Sequence, residues 1–282
     1  MKILIIGSSG QLGKCATEIL SKKHEIKTSA IDIPSDFKYD LTNDNLEKTL
    51  GEYKPDIILL AAAYTHVDGC EQNPELSYSI NYKGTVNVAD YCKKFDTKLI
   101  FLSTDYVFDG ENGPYNEDDK TNPLNVYGQH KLDSEIYIKN NLKNYLILRT
   151  AWLADTKYDD KNYVAQVLKK LKNNETVKAV DDQFGNPTLT RNLVKNMETL
   201  LEKNISGLYH LCGTATIDRF TYTQKIANIF GFDKNLVLKA KSSDFPSTAK
   251  RPRHGGLNTS KIQKNSGIKL LNVKEMLEIM KK

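Results

Sequence analysis

A short apolar run, Lys2–Ile6, leads straight into Gly7-Ser8-Ser9-Gly10-Gln11-Leu12-Gly13. From Gln11 to Ser21 the residues Leu12, Ala16, Ile19 and Leu20 share one side of a helix. Strand, glycine turn and amphipathic helix in immediate succession leave few folds open. The first glycine permits a tight turn, the second lets backbone N–H groups approach a bound group, and the third lets helix pack closely on strand. The amino end of the helix favours negative charge. This GxxGxxG unit points to a dinucleotide whose pyrophosphate sits at the turn.

The alternation continues downstream. Strands are predicted over Ile26–Ile31, Asp56–Ala63, Lys98–Ser103 and Tyr145–Arg149. Between them lie helices over Asn43–Leu50, capped by Thr42 or Asn43, over Pro74–Phe95, with proline near its start, and over Val126–Lys139. Repeated β-α-β units demand a parallel sheet covered on both faces, with right-handed crossovers. Beyond about residue 150 the rhythm loosens. Helices are expected over Tyr163–Leu171, Leu189–Leu201, Phe220–Phe230 and Val273–Met280, and a strand over Gly207–Leu211. Asp181–Thr188 and Ser242–Gly256 read as loops. The expected class is α/β: a Rossmann-type doubly wound parallel sheet with a smaller mixed α/β C-terminal substrate-binding part. Residues 1–150 would hold the dinucleotide and 151–282 mostly the substrate, with some segments returning to the first domain.

The 282 residues are 39% apolar and 27% charged, ordinary for a globular chain. No run of 18 apolar residues exists to span a membrane, and the apolar stretch before Gly7 is too short for a signal-peptide core. A cytoplasmic location is the expectation. Four cysteines form no CxxC pair and five histidines no HxxxH pair, so neither a disulfide scaffold nor a metal centre is expected. The net charge of +5 is uneven, with twelve Lys/Arg against four Asp/Glu between Asp233 and Lys282. That part is either a solvated lysine-rich surface or a receiver for an anion, and Arg251-Pro252-Arg253 offers guanidinium groups suited to phosphate. No aromatic-interleaved basic stripe marks nucleic-acid binding.

Asp32, nineteen residues past Gly13, is placed at the end of the second strand. A carboxylate there bonds ribose hydroxyls and repels a 2′-phosphate, which favours NADH; Lys22, Lys23 or Lys27 leaves NADPH open. Asp40-Leu41 would flank the adenine, or Asp40 would simply start a helix. Tyr127 and Lys131 stand four apart on one face of a predicted helix. An ammonium beside a phenol lowers its pKa towards a useful range for proton transfer. Thr104 ends an apolar strand on the side where open α/β sheets carry their ligands, placed to hold a carbonyl beside Tyr127.

With these motifs the chain resembles the extended short-chain dehydrogenase/reductase superfamily, and within it the dTDP-4-dehydrorhamnose reductases. The resemblance is carried by Gly7–Gly13, Ala61-Ala62-Ala63-Tyr64-Thr65-His66-Val67-Asp68, Asn73-Pro74-Glu75 and Ser103-Thr104-Asp105-Tyr106-Val107-Phe108-Asp109-Gly110. Tyr127-Gly128-Gln129-His130-Lys131, Leu148-Arg149-Thr150-Ala151-Trp152, Asp182-Gln183-Phe184-Gly185-Asn186-Pro187-Thr188 and Arg251-Pro252 complete it. It implies NAD(P)H-dependent reduction of a C4 keto group on a nucleotide-sugar. Tyr127 would donate the proton, Lys131 would tune it and bind the nicotinamide ribose, and Thr104 would hold the carbonyl. Gly7, Gly10, Gln11, Leu12, Gly13, Asp32, Asp40, Leu41, Ala61, Ala62, Ala63, Tyr64, Thr65, Leu102, Tyr127 and Lys131 would line the cofactor. Thr104, Asp105, Tyr106, Trp152 and Arg251 would contact the substrate. The partner set implied is the nucleotide-sugar, with the chain a monomer or homodimer.

Some members of the family carry Trp-Glu after the glycine loop, linked to a metal-bridged dimer; this chain has Lys14-Cys15 there. Leu60 stands where relatives have Asn before the alanines, and His254-Gly255-Gly256 follows Arg-Pro in place of a small polar motif. Two other functions resemble this pattern. A sugar-nucleotide epimerase or 4,6-dehydratase would need a second acid, but Tyr106 follows Asp105 where a dehydratase has Glu. The regulatory β subunit of methionine adenosyltransferase also resembles the chain and binds a dinucleotide as a partner protein.

Overall fold

A computed structural model describes residues 1–282. Six strands form its main sheet: β1 (Lys2–Ile6), β2 (Glu25–Ser29), β3 (Ile57–Leu60), β4 (Lys98–Thr104), β5 (Tyr145–Thr150) and, after four short strands, β10 (Gly207–His210). Their spatial order is β2-β1-β3-β4-β5-β10, and every neighbouring pair is parallel. The remaining strands are β6 (Leu153–Ala154), β7 (Val177–Val180), β8 (Phe184–Gly185), β9 (Thr188–Leu189), β11 (Ile217–Asp218) and β12 (Val237–Ala240). They join only in pairs, β6 with β9, β7 with β12 and β8 with β11. The helices are α1 (Gln11–Leu20), α2 (Leu46–Leu50), α3 (Val67–Gln72), α4 (Pro74–Ser77), α5 (Gly84–Phe95) and α6 (Val126–Asn141). They continue as α7 (Tyr163–Lys172), α8 (Thr190–Glu202), α9 (Arg219–Phe230), α10 (Ser260–Ser266) and α11 (Val273–Lys281).

Alternating side chains of each strand feed two cores. Ile3 and Ile5 face Leu12, Ala16 and Ile19 of α1 together with Leu193, Val194 and Met197 of α8. Leu4 and Ile6 face the opposite layer, with Val88, Ala89 and Cys92 of α5 and Ile138 of α6. Both faces are covered, as continuous apolar strands require. α8 and β10 thus lie beyond residue 150 in sequence but belong to the main sheet in space. A third core, from Val164, Leu168, Val177, Ile226, Val237 and Met276, holds together the smaller lobe.

The elements differ from the sequence expectation in instructive places. β2 stops at Ser29, whose carbonyl accepts from both Gly7 and Ser8 N–H, so Ile31 is left exposed and Asp32 stands beyond the strand. β3 stops at Leu60 because Ala61 and Ala62 both donate to the Ile6 carbonyl, and the chain curls away. The helix predicted over Pro74–Phe95 is interrupted by a π-helical stretch, Tyr78–Lys83, of the kind often found at functional sites. α2 is capped by Asn45 rather than Thr42 or Asn43. The β7–β12 pair and α10 have no clear sequence signal; β7 and β12 are only four residues each. All four cysteines are buried free thiols, and no helix is long and apolar enough to cross a membrane.

A buried ion pair ties α6 to the sheet. Arg149 of β5 donates from Nε and Nη2 to both carboxylate oxygens of Glu135, at 2.9 and 2.7 Å, and Ser103 of β4 donates to the same carboxylate. Both charged groups are essentially inaccessible to water. Removing one partner leaves the other as an uncompensated buried charge, so Arg149→Met is expected to cost about 3–5 kcal/mol of stability. Urea unfolding of the two proteins checks this; a loss below about 1 kcal/mol would show that Glu135 needs no cation.

Candidate active site

Parallel strands end on the same edge, and four of those ends build the site: Gly7 after β1, Ala61 after β3, Thr104 on β4 and Ala151 after β5. At the first, Gly7 has φ +91°, and a Cβ there would lie 2.5 Å from the Ala62 nitrogen. A Cβ on Gly13 would collide with the Gly7 carbonyl, so this glycine sets how closely α1 packs on β1. Gly10 is different: its nearest atom would be 3.6 Å away. The space beside Gly10 is open, and α1 begins there with no side chain capping its first N–H groups. Gln11 donates to Thr190 at 2.6 Å, while its Oε1 is buried without a partner, as is the Thr150 hydroxyl opposite Thr104. Open cradle and uncapped helix end fit a dinucleotide pyrophosphate.

The loop Ala61–Thr65 is held from the π-helical stretch. Buried Asn81 accepts from Tyr64 N–H at 2.9 Å and donates to the Tyr64 carbonyl at 3.0 Å. Nothing in the sequence around Asn81 marks it out, yet it supplies the polar support that Leu60 does not. Leu102 is half-buried beneath the site, and Thr65 is exposed at the end of the loop. Leu41 is buried against Gly84 at the start of α5, and the Asp40 carboxylate accepts from the Thr42 N–H and hydroxyl. Asp40 does not start the following helix, which begins at Leu46 behind its Asn45 cap. Asp32 is exposed on the bend after β2.

Tyr127 and Lys131 stand on the first two turns of α6, which Asn125 caps by accepting from Gly128 N–H at 2.8 Å. The Lys131 amine lies 3.8 Å from the centre of the Phe101 ring, and burial pulls its pKa down to about 7, with Glu135 acting weakly in the other direction. Tyr127 has its pKa pushed up by burial and by the charge of Asp105, and the Thr104 hydroxyl counteracts this. Burial dominates both groups, raising Tyr127 and lowering Lys131. Thr104 donates to Asp105 at 3.1 Å and accepts from Tyr106 N–H at 3.2 Å. The Tyr106 ring meets the Tyr127 ring edge-on, with 6.1 Å between centres.

A cleft of about 1000 Å³ adjoins this group, with Asp68, Tyr163, Arg219 and Arg251 among its lining residues. Arg251 is not free in it. Its guanidinium forms a two-pronged pair with Asp68, at 2.6 and 3.2 Å, and also donates to Ser247 and to the Ala249 carbonyl. The bound guanidinium holds Asp68 far below the usual carboxylate range. Trp152 has a left-handed backbone, φ +46°, and its indole lies so close over Gly185 that no Cβ could stand there. Sequence reasoning assigns no role to Asp68 or Arg219, although Asp68 closes the motif that begins at Ala61.

The whole chain, residues 1–282, matches the family model described as RmlD substrate binding domain. The chain belongs to this family. It is 33% identical to the dTDP-4-dehydrorhamnose reductase of Salmonella typhimurium, over 99% of this chain and 98% of that one. The corresponding enzyme of Aggregatibacter actinomycetemcomitans is 31% identical over 95% of this chain and 94% of its own length. Among solved structures, the Bacillus anthracis dTDP-4-dehydrorhamnose reductase in complex with NADP superposes with a TM-score of 0.92 at 31% identity, covering 99% of this chain and 98% of that one.

Asp105 gives this site a pH signature. It is almost wholly buried, and desolvation lifts its pKa from 3.8 to about 6. Between those values the folded state keeps a proton that the unfolded state has lost, so stability falls as pH rises and the full cost is reached above pH 6. The cost is about 3 kcal/mol. Relative to wild type, Asp105→Asn should therefore gain about 3 kcal/mol of stability between pH 4 and pH 7. Chemical denaturation across that range checks it, and a pH-independent difference would contradict the buried carboxyl.

Proposed function

We propose that the chain is an NAD(P)H-dependent oxidoreductase that reduces the C4 keto group of dTDP-4-dehydro-6-deoxy-L-mannose, giving dTDP-L-rhamnose. The observation that carries this is Thr104 at the end of β4 within hydrogen-bond reach of the Tyr127 phenol, with Lys131 one turn further along α6. The nicotinamide, when bound, supplies hydride to the carbonyl carbon. Gly10, Gln11 and Leu12 hold the pyrophosphate at the α1 terminus, and the Ala61–Thr65 loop, fixed by Asn81, lines the nucleotide. Thr104, turning its hydroxyl from Asp105, donates to the carbonyl oxygen and keeps it beside Tyr127. Tyr127, its phenol protonated by burial, gives its proton to the developing alkoxide. The phenolate so formed needs a cation, and Lys131 is the nearest amine on the same helix face. Asp105, Tyr106 and Trp152 shape the sugar end, and Arg251, locked to Asp68, borders the cleft mouth. In this reading residues 1–150 carry the cofactor and residues 151–282 carry most of the substrate contacts, except for α8 and β10.

Tyr127→Phe removes the proton donor and leaves the cradle intact. It should lower kcat by about 10²–10⁴-fold while the affinity for NADPH stays within about twofold of wild type. Loss of the near-ultraviolet absorbance of reduced cofactor in the presence of the keto-sugar nucleotide measures the first, and fluorescence titration the second. Wild-type turnover in the Phe variant would remove Tyr127 from the reaction, and absence of turnover in the wild type would overturn the reductase reading.

A further inference from the structure

Arg219 opens α9, and its guanidinium lies 3.5 Å from the centre of the Trp152 ring and 4.4 Å from that of Tyr163. Two aromatic faces hold the planar group in place, as arginine but not lysine allows. No carboxylate lies within ion-pair distance of it and no hydrogen bond satisfies it, in contrast to Arg149, Arg191 and Arg251, each paired with an acid at 2.6 or 2.7 Å. It lines the cleft, whereas the indole beneath it does not. The guanidinium is half-buried, with no protein group taking its N–H donors, so they remain free for an anion that enters the cleft. Of the two arginines that the sequence suggests for a phosphate, Arg251 is already committed to Asp68, Ser247 and the Ala249 carbonyl, and Arg253 lines the same cleft unpaired but has no aromatic face stacked on it to aim its N–H fork.

A dTDP-linked neutral sugar carries its charge in one place, the diphosphate. We propose that Arg219 grips the diphosphate of the nucleotide-sugar, with Trp152 and Tyr163 acting as the clamp that fixes the direction of its N–H fork; the assignment rests on the reading of this cleft as a nucleotide-sugar site. Arg219 is accordingly a binding residue, one that sets affinity for the charged half of the substrate and stands apart from the proton-transfer group at Tyr127.

The test uses the full chain with Arg219→Met, which keeps an apolar stem against the indole, and Arg219→Lys, which keeps the charge but not the fork. Each is titrated with dTDP, inorganic pyrophosphate and thymidine by calorimetry. Arg219→Met should weaken dTDP at least tenfold, with Arg219→Lys intermediate and thymidine unchanged. Trp152 is the single tryptophan, so displacement of the guanidinium by ligand is read directly as a change of its emission in wild type that is absent in Arg219→Met. KM for the keto-sugar nucleotide should rise about tenfold with kcat within about threefold. Equal dTDP affinity in wild type and Arg219→Met, with both folded by thermal melting, overturns the assignment, as does a wild type that binds no dTDP. A wild type that binds dTDP through Arg219 but turns over no keto-sugar upholds the assignment and overturns the reductase reading.

Discussion

Because all six strands of the main sheet run the same way, every carboxyl end arrives at one edge, and everything chemical in this protein is hung there. The strand order reverses around β1, with β2 on one side and β3 on the other, which opens a crevice at the end of β1. Gly7 and Gly13 let α1 close down on that strand end, and the cradle at Gly10 exists only because they do. Two strands over, the same edge delivers Thr104 and Asp105. The distance between cradle and acid group is therefore a property of sheet spacing, not of any loop.

Burial then decides the electrostatics. Lys131, Asp105 and Tyr127 are all pushed towards their neutral forms. Groups shifted in this way in a dry pocket are poised to respond to charge brought by the ligands, since each interaction is stronger there than in water. The Arg149–Glu135 pair shows the same dry interior put to a structural use. α6 carries Glu135 one turn beyond Lys131, and fastening that residue to β5 fixes the helix that presents Tyr127. The pair is weak evidence for stability gained over an apolar core, but it specifies the rotation of α6 about its axis.

Period and punctuation make the main sheet readable. Continuous apolar runs at Lys2–Ile6 and Lys98–Thr104 fit only buried parallel strands in this alternating context, and the glycine spacing identifies which edge carries the ligand. Strand ends are harder, because β2 and β3 stop where a neighbouring carbonyl captures two N–H groups, an event that no local composition encodes. The smaller lobe is harder still. β7 and β12 pair across about sixty residues, and each is too short to show a period. The site follows the same division. Thr104, Tyr127 and Lys131 are visible because their spacing is local. Asn81, the Asp68–Arg251 pair and Arg219 are not, because each acquires its role from a partner far away in sequence.

Trp152 shows how the two lobes are joined into one site. It follows the last residues of β5 directly, yet its indole rests on Gly185 of the smaller lobe and under Arg219 of α9. Its left-handed backbone is uncommon for a bulky residue and carries a cost of order 1–3 kcal/mol, which persists only where surrounding contacts over-determine it. Those contacts are the flat surface left by a glycine on one side and a stacked guanidinium on the other. The strained residue thus joins the end of β5, one strand from Thr104, to the smaller lobe that carries Gly185 and Arg219.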